Sequence, residues 1–285
     1  MNSANLEIRD KLSLNQLSSC IGKTLIIAYK EETHQLEESL NKENLSCEVL
    51  RQIHQDNRKN FSPSYLCLLN HTRAWEIAKS SNKPVLVVEA DFVPVIGIGK
   101  LPLPFDLTLE NVGIAWLYTC APCLHALSGK WYLEGTSVST VAYIITPKGA
   151  CSLLGFAEEI AIYPGPTQYT MWDTKMWKIL QDKELKTFLP FRNYGEHGGI
   201  PNPEHRNHGL SPAHRADVLY GKLAFLPSYT LASNVPHIQY YWVRLNARLK
   251  GIVRLLLGKY ISLTTIQASD NSLSLAIFAI RRFFV

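Results

Sequence analysis

The sequence predicts a layered α/β domain with a mostly parallel central sheet. Short apolar runs rich in β-branched residues recur through the first ninety positions, at KTLIIAY (23–29), SCEVLRQIH (46–54) and PVLVVE (84–89), and stretches of helical composition separate them. Strand and helix in alternation is the pattern of parallel strands joined by covering helices. The 285 residues, 46% of them hydrophobic and 19% charged, match a folded chain long enough to bury a sizeable core.

The elements follow in order. MNSANLEIRDKLSLNQLSSC lacks the unbroken apolar stretch of a secretory signal, and no later run approaches the roughly 20 apolar residues of a spanning helix. The expectation is a cytoplasmic protein without a transmembrane anchor. After the first strand, KEETHQLEESLNKEN places Leu36 and Leu40 four apart, as on one helix face. A second helix is expected over 62–82, entered through Ser62-Pro63 and carrying Leu66, Leu69, Ala74, Ile77 and Ala78. PVIGIGKLPLPFD reads as a loop, NVGIAWLYTCAP and VSTVAYIIT as strands, and PKGACSLLGFAEEI as a helix entered through Pro147.

Residues 192–215 are rich in Gly, Pro, Asn and His without apolar periodicity, which predicts a long loop. Beyond 236 the character changes. Ile238, Trp242, Leu245, Leu249, Ile252 and Leu256 recur at helical spacing, with Arg244, Arg248, Lys250 and Arg254 on the opposite arc. Residues 1–236 are therefore read as the main domain and 237–285 as a basic amphipathic tail.

Charge follows that division. From Val218 onward there are eight Lys or Arg and one acid, against 21 basic and 23 acidic residues before it. Positive charge confined to one amphipathic segment, without interleaved aromatics along a groove, argues against nucleic acid as a partner. The six cysteines do not form the framework of a small secreted domain. CAPC at 120–123 has redox or zinc spacing, but there is no second pair to complete a tetrahedral site, and a structural loop is expected.

The chemistry centres on VLVVEADFVP (85–94), where a buried-looking strand ends in Glu89 and Asp91. Ligands of open α/β sheets bind at the carboxyl ends of parallel strands. Two acids two residues apart in extended chain point to one side. Such a pair suits Mg²⁺ or Mn²⁺, which accept one or two protein carboxylates and keep positions for phosphate oxygens. A solvated strand end is the plainer reading of the same residues.

The wider pattern points further. CLLNHTRAWEIA, then KPVLVVEADFVPV, EGTSVSTVAYIITPKGACSLL and MWDTKMW, in that order over residues 23–190, resembles glycosyltransferase family 25, the bacterial lipopolysaccharide-biosynthesis and collagen-type galactosyltransferase group. The resemblance implies a GT-A fold that binds a nucleotide sugar. It aligns Glu89 and Asp91 with the first and third acids of the family's Glu-Asp-Asp, Asn70-His71 with its Ser-His, and Asp173 with a later Asp. Ala90 stands where the family has its middle carboxylate, and Asn70 where it has serine. The implied function is transfer of galactose or glucose from a UDP donor to a hydroxyl of a lipopolysaccharide, other surface glycan or lipid-linked glycan, with inversion.

Within that reading Glu89 and Asp91 hold a divalent cation, Mn²⁺ or Mg²⁺, and Asn70, His71 and Tyr143 join them around the donor. Asp173 is the candidate base for an acceptor hydroxyl, and its neighbours Trp172 and Trp177 are expected in the core. His71 fits a packed, hydrogen-bonded core histidine equally well. The 192–215 loop offers a lid, with His197, His214, Arg215 and Asp217 able to meet diphosphate or sugar hydroxyls; a solvated connector is its alternative. The tail fits an anionic membrane surface, with Trp242, Leu245, Leu249 and Ile252 inserted and the arginines among headgroups, or else packs its apolar face on the domain. Two rivals stand beside the enzyme: a catalytically inactive nucleotide-sugar or glycan-binding module, and a peripheral-membrane interaction protein.

Overall fold

A computed structural model describes residues 15–53, 55–200, 214–231, 233–261, 263–268 and 272–284. Glu204, His205 and His208 of the expected loop lie outside the described residues. The chain is a mixed α/β protein built on one large sheet. In order it forms α1 (Leu17–Cys20), β1 (Lys23–Ala28), α2 (His34–Lys42), β2 (Cys47–Arg51), α3 (Pro63–Lys79), β3 (Val85–Glu89), β4 (Phe92–Pro94), β5 (Val112–Trp116), β6 (Cys123–Leu127), β7 (Tyr132–Thr136), β8 (Ala142–Ile145), α4 (Pro147–Ile162), α5 (Met176–Asp182), β9 (Lys186–Pro190), β10 (Gly195–His197), α6 (Ser228–Leu231), α7 (Pro236–Leu256), α8 (Leu263–Ala268) and α9 (Ser272–Phe284).

Eight strands pair in the order β2-β1-β3-β8-β5-β9-β7-β6. Their pairings give six of them one direction, with β7 and β8 reversed, so the sheet is mostly parallel as the sequence predicts. The central strands read as continuous apolar runs because both faces are covered. Leu25 and Ile27 of β1 with Val85 and Val87 of β3 face α3, α4 and α5. Ile26, Leu86 and Val88 face α1 and α2 through Leu17, Leu36 and Leu40. Adjacent residues on opposite faces are the direct outcome of the period of two.

Both long helices on the first face start at Pro. The side chain of Ser62 accepts from the Tyr65 N–H at 3.2 Å, and Thr146 accepts from that of Gly149 at 3.1 Å. A Cβ on Gly149 would fall 2.1 Å from the Gly113 carbonyl oxygen, so glycine is what lets α4 rest on β5. Trp75 and Trp116 are fully buried in this layer, and truncating either costs about 3–5 kcal/mol.

A separate two-stranded ribbon pairs β4 with β10, setting His197 opposite Phe92. Its second strand, β10, lies inside the 192–215 stretch predicted as loop and returns His197 to the end of β3. Strands β6, β7 and β9 extend the sheet beyond the predicted ones.

The last fifty residues divide differently from the expectation. In α9, Leu275, Phe278 and Ala279 join the same core cluster as β1 and β3, so this part of the tail is in good part buried. In α7 one member of the basic arc, Arg244, turns inward, while Arg248 and Lys250 stay exposed. Arg244 binds Glu196 and the carbonyl of Ala216, while Ile238, Trp242, Leu245, Leu249, Val253 and Leu256 are exposed. The alternative in which the apolar face of this helix packs on the domain is thereby corrected: Ala247 and Gly251 are its buried residues. A Cβ on Gly251 would sit 2.7 Å from Cβ of Asp217 and 2.8 Å from the Phe283 ring, so small residues permit the contact.

Candidate functional site

Strands β1 and β3 run parallel, with Ile27 in register with Glu89, and both end at one edge. There the Ala90 N–H donates to the Ile27 carbonyl at 2.8 Å, and the chain turns out of the sheet carrying Asp91. Two adjoining cavities open at this edge. One, of about 650 Å³, is lined by Glu31, Cys67, Glu89, Asp91, Thr140, Trp172, Asp173, His197 and His214 among others. The second, of about 510 Å³, is lined by Tyr29, Ile53, Arg58, Lys59, Asn70 and Ala90, and shares Glu31, Cys67, Glu89 and Asp91 with the first.

Glu89 is held from behind. Its Oε1 accepts from Thr140 Oγ1 at 2.6 Å and lies 3.3 Å from Nε2 of the fully buried His71. Nδ1 of His71 is 2.8 Å from the Tyr143 hydroxyl, which accepts from Trp75 Nε1 at 2.8 Å. With its oxygen taken by Trp75, Tyr143 gives its own proton to Nδ1, so Nε2 carries the hydrogen that His71 donates to Glu89. Burial pushes the Tyr143 phenol well above its ordinary value, keeping that proton in place. His71 and Tyr143, expected around a donor, are thus a supporting layer behind Glu89.

Asp91 is gripped on one side only. Oδ2 is 3.0 Å from Nε2 of His197, and the other ring nitrogen, Nδ1, is 3.3 Å from the His214 carbonyl. An imidazole facing a carboxylate and a carbonyl is best satisfied with both nitrogens protonated. Burial by itself lowers the His197 pKa, but the charge and hydrogen bond of Asp91 outweigh it and the net shift is upward. For Asp91 burial pulls upward, and His197 and then Arg215 outweigh it, holding the carboxyl below the usual range. Oδ1 of Asp91 is buried without a hydrogen-bond partner among the described residues. Gly199 makes the pairing possible, since a Cβ there would lie 2.3 Å from Asp91 Oδ2.

Asp173 enters from a different segment. Ser62 N–H donates to the Pro166 carbonyl at 2.9 Å, Ser62 Oγ to that of Gln168 at 3.0 Å, and Trp172 Nε1 to that of Ser64 at 3.0 Å. These bonds fasten 166–172 to the start of α3 and set Asp173 in the wall of the larger cavity. Its carboxyl is pushed up to about 6, first by burial and then by the charge of Glu89. Trp172 is buried, 5.3 Å from His71 between ring centroids, and belongs to the core.

The remaining candidates divide. Asn70 is buried, with Nδ2 donating to the Ala28 carbonyl at 3.3 Å, and lines the smaller cavity. His197 and His214 meet Glu89, Asp91 and Asp173 in the larger one. Arg215 and Asp217 do not line it. Arg215 donates to the carbonyls of His197 at 2.8 Å and Gly199 at 2.8 Å, fastening the chain behind the site. The Asp217 carboxylate accepts from Arg282 and from Asn193 Nδ2 at 2.9 Å, and so faces the tail. Cys120 and Cys123 are free thiols, and burial, with Asp173 adding to it, pushes Cys120 up to about 12, a thiol too basic for redox chemistry.

Sequence reasoning missed Glu31, Cys67, Thr140 and the basic pair Arg58 and Lys59. Glu31 follows the end of β1 as Asp91 follows β3, so the same strand-end rule applies to it.

A divalent cation fits this edge. Glu31, Glu89, Asp91 and Asp173 share the larger cavity, whose described lining has no Lys or Arg, and Asp91 Oδ1 is an orphaned acceptor there. Ligand atoms of Cys67, His71 and Glu89 also lie within 4.8 Å of one another. In that trio both ring nitrogens of His71 are engaged, and burial followed by the Glu89 and Asp173 charges raises the Cys67 thiol well above its ordinary value. The oxygens of Glu89 and Asp91 are therefore the better match for a hard cation.

No family model matches the chain, and no curated protein matches it. Two solved structures are similar over part of their length. A glycosyltransferase involved in glycosylation of the major capsid of PBCV-1 is 12% identical, covering 55% of this chain and 74% of that one, at a TM-score of 0.34. A Drosophila β-1,4-galactosyltransferase 7 variant, complexed with manganese, UDP-Gal and xylobiose, is 11% identical, covering 65% and 72%, at a TM-score of 0.35.

Proposed function

We propose that this chain is a GT-A-type glycosyltransferase that moves a hexose, galactose or glucose, from a UDP donor to a hydroxyl of a surface or lipid-linked glycan, with inversion. The observation that carries the reading is the pairing of the two cavities across Glu89 and Asp91. The smaller offers an aromatic ring and two cations, Tyr29, Arg58 and Lys59, suited to a nucleotide with its phosphates. The larger offers Asp173 away from that side, suited to a sugar and its acceptor. The order of motifs that resembles family 25 supports the same assignment.

In this mechanism Glu89 and Asp91 would hold the cation, which supplies charge neutralisation to a diphosphate leaving group. His71 and Thr140 fix Glu89, and His197 fixes Asp91. Asp173 accepts the proton of the acceptor hydroxyl as its oxygen attacks the anomeric carbon, and the bond to UDP breaks on the opposite face, which inverts the centre. The test is release of nucleoside diphosphate from a panel of nucleotide sugars with Mn²⁺, with Mg²⁺ and with chelator. Metal-dependent release from one UDP-hexose is the expected result. Binding of UDP-sugars without release in the presence of any glycan acceptor would make the chain a binding module, and no nucleotide-sugar binding at all would overturn the reading.

The inverted amphipathicity of α7 supports a membrane-peripheral setting, on the cytoplasmic face in keeping with the sequence expectation. With Arg244 bound to Glu196 and the Ala216 carbonyl, the helix presents Trp242, Leu245 and Leu249 outward. Arg248 and Lys250 of the same helix are exposed, as are Lys259 just beyond its end and Arg281 of α9. An anionic bilayer matches an apolar strip flanked by cations. No described helix is long and apolar enough to cross a membrane.

A further inference from the structure

We propose that the cavity between α7 and the Cys120–Pro122 turn binds an anionic group of the acceptor saccharide, a phosphate or a carboxylate. The inference rests on the glycosyltransferase reading and names the acceptor class it would use. The cavity, of about 580 Å³, is within the range of small-ligand pockets, and it shares Cys120 and His214 with the acid-lined chamber. The two therefore adjoin.

Their charges are opposite. The described lining of the catalytic chamber has four carboxylates and no Lys or Arg, whereas Arg215, Lys250 and Arg254 line its neighbour. The single acid in that second lining, Asp217, is already neutralised by Arg282. None of the three cations has a carboxylate partner among the described ion pairs. Arg215 is held by backbone carbonyls with its guanidinium 4.1 Å from the Tyr229 ring centroid, so it is a fixed charge.

Four carboxylates line the chamber, and its one anion-binding position is taken by the donor diphosphate at the cation, so a charged acceptor reacts there through a neutral ring with its anionic substituent held further out. The adjoining cavity supplies the attraction at that distance. An uncharged acceptor would leave Lys250 and Arg254 lining a cavity without a carboxylate partner among the described ion pairs.

The experiment compares binding of lactose, lactose 1-phosphate and 3′-sialyllactose to the full chain by titration calorimetry, with UDP binding measured on the same preparation. The expected result is that the charged sugars bind about tenfold or more tightly than lactose. The preference disappears in Lys250→Ala/Arg254→Ala, whose UDP binding stays at the parent level, and reverses in Lys250→Glu/Arg254→Glu. Preference for one charged sugar supports the proposal and identifies the anion. Equal binding of all three, or a preference that survives both double substitutions, overturns it. Loss of UDP binding in the parent would instead overturn the glycosyltransferase reading while the saccharide comparison stood on its own.

Discussion

Nε2 of His197 stands 3.0 Å from Oδ2 of Asp91, joining residues 106 positions apart. The contact fixes one carboxylate oxygen, while the buried Oδ1 has no partner among the described residues. Asp91→Asn keeps the side-chain shape and removes the charge. UDP-sugar turnover is expected to fall about 100-fold or more with the circular dichroism spectrum unchanged. His197→Ala, which frees the carboxylate to turn, should cost about 10–100-fold. Parent-level turnover in Asp91→Asn would remove Asp91 from the site.

Asp173 predicts the pH dependence. With its carboxyl pushed up to about 6, the base form is lost on acidification, and kcat/KM should decline with an apparent pKa near that value. Asp173→Asn should lower turnover by about 10²–10⁴-fold. Stability should move the other way. A native pKa raised above the ordinary 3.8 means the folded chain binds the proton more tightly, so this contribution is full at low pH and lost as pH rises through about 6. At neutral pH the ionised, buried carboxylate is a cost, and Asp173→Asn should gain on the order of 1–2 kcal/mol in denaturant unfolding. A variant that is both inactive and destabilised would contradict a strained base.

Arg282 and Asp217 form a pair whose side chains are 1% and 13% exposed, and Arg282 also donates to the Phe191 carbonyl at 3.0 Å. Removing one partner leaves the other charge buried. Arg282→Met and Asp217→Asn should each destabilise by about 3–5 kcal/mol, with the double variant recovering much of the loss. Additive losses in the double-mutant cycle would show that the pair is not coupled.

Liposome binding tests the outward face of α7. Because α9 contributes Leu275, Phe278 and Ala279 to the core, deleting the tail would unfold the chain, and point changes are the informative ones. Trp242→Ser/Leu249→Ser should weaken sedimentation with anionic vesicles by about tenfold or more, from apolar area alone, with the melting temperature held. Undiminished binding would place any membrane contact elsewhere.

The sheet's centre was legible because β1, β3, β5 and β8 are buried on both faces, which writes itself as unbroken apolar runs. Helices α3 and α4 were legible through Ser62-Pro63 and Thr146-Pro147. Strands β6 and β7 were not, since their mixed exposure breaks both the continuous run and strict alternation. Three-residue β10 is too short to show a period. Glu89 and Asp91 could be found from the strand-end rule, but Thr140 could not, because its role is set by a partner 51 residues away. The direction in which α7 faces was also hidden: periodicity defines two arcs, and only Glu196, buried with two backbone N–H donors and Arg244, decides which one turns inward.

The walls of the acid-lined chamber come from positions as far apart as Glu31 and Ser228. Such a site has no partial form; it exists only when the strands, the 166–172 segment and the β10 ribbon are all in place. Occupancy is therefore coupled to global unfolding rather than to a local opening. A ligand at about 100 times its Kd would add about 2.7 kcal/mol to the whole chain. The melting temperature becomes a direct reporter of donor and acceptor alike, so a thermal-shift screen of nucleotide sugars and glycans reads this site without any need for turnover.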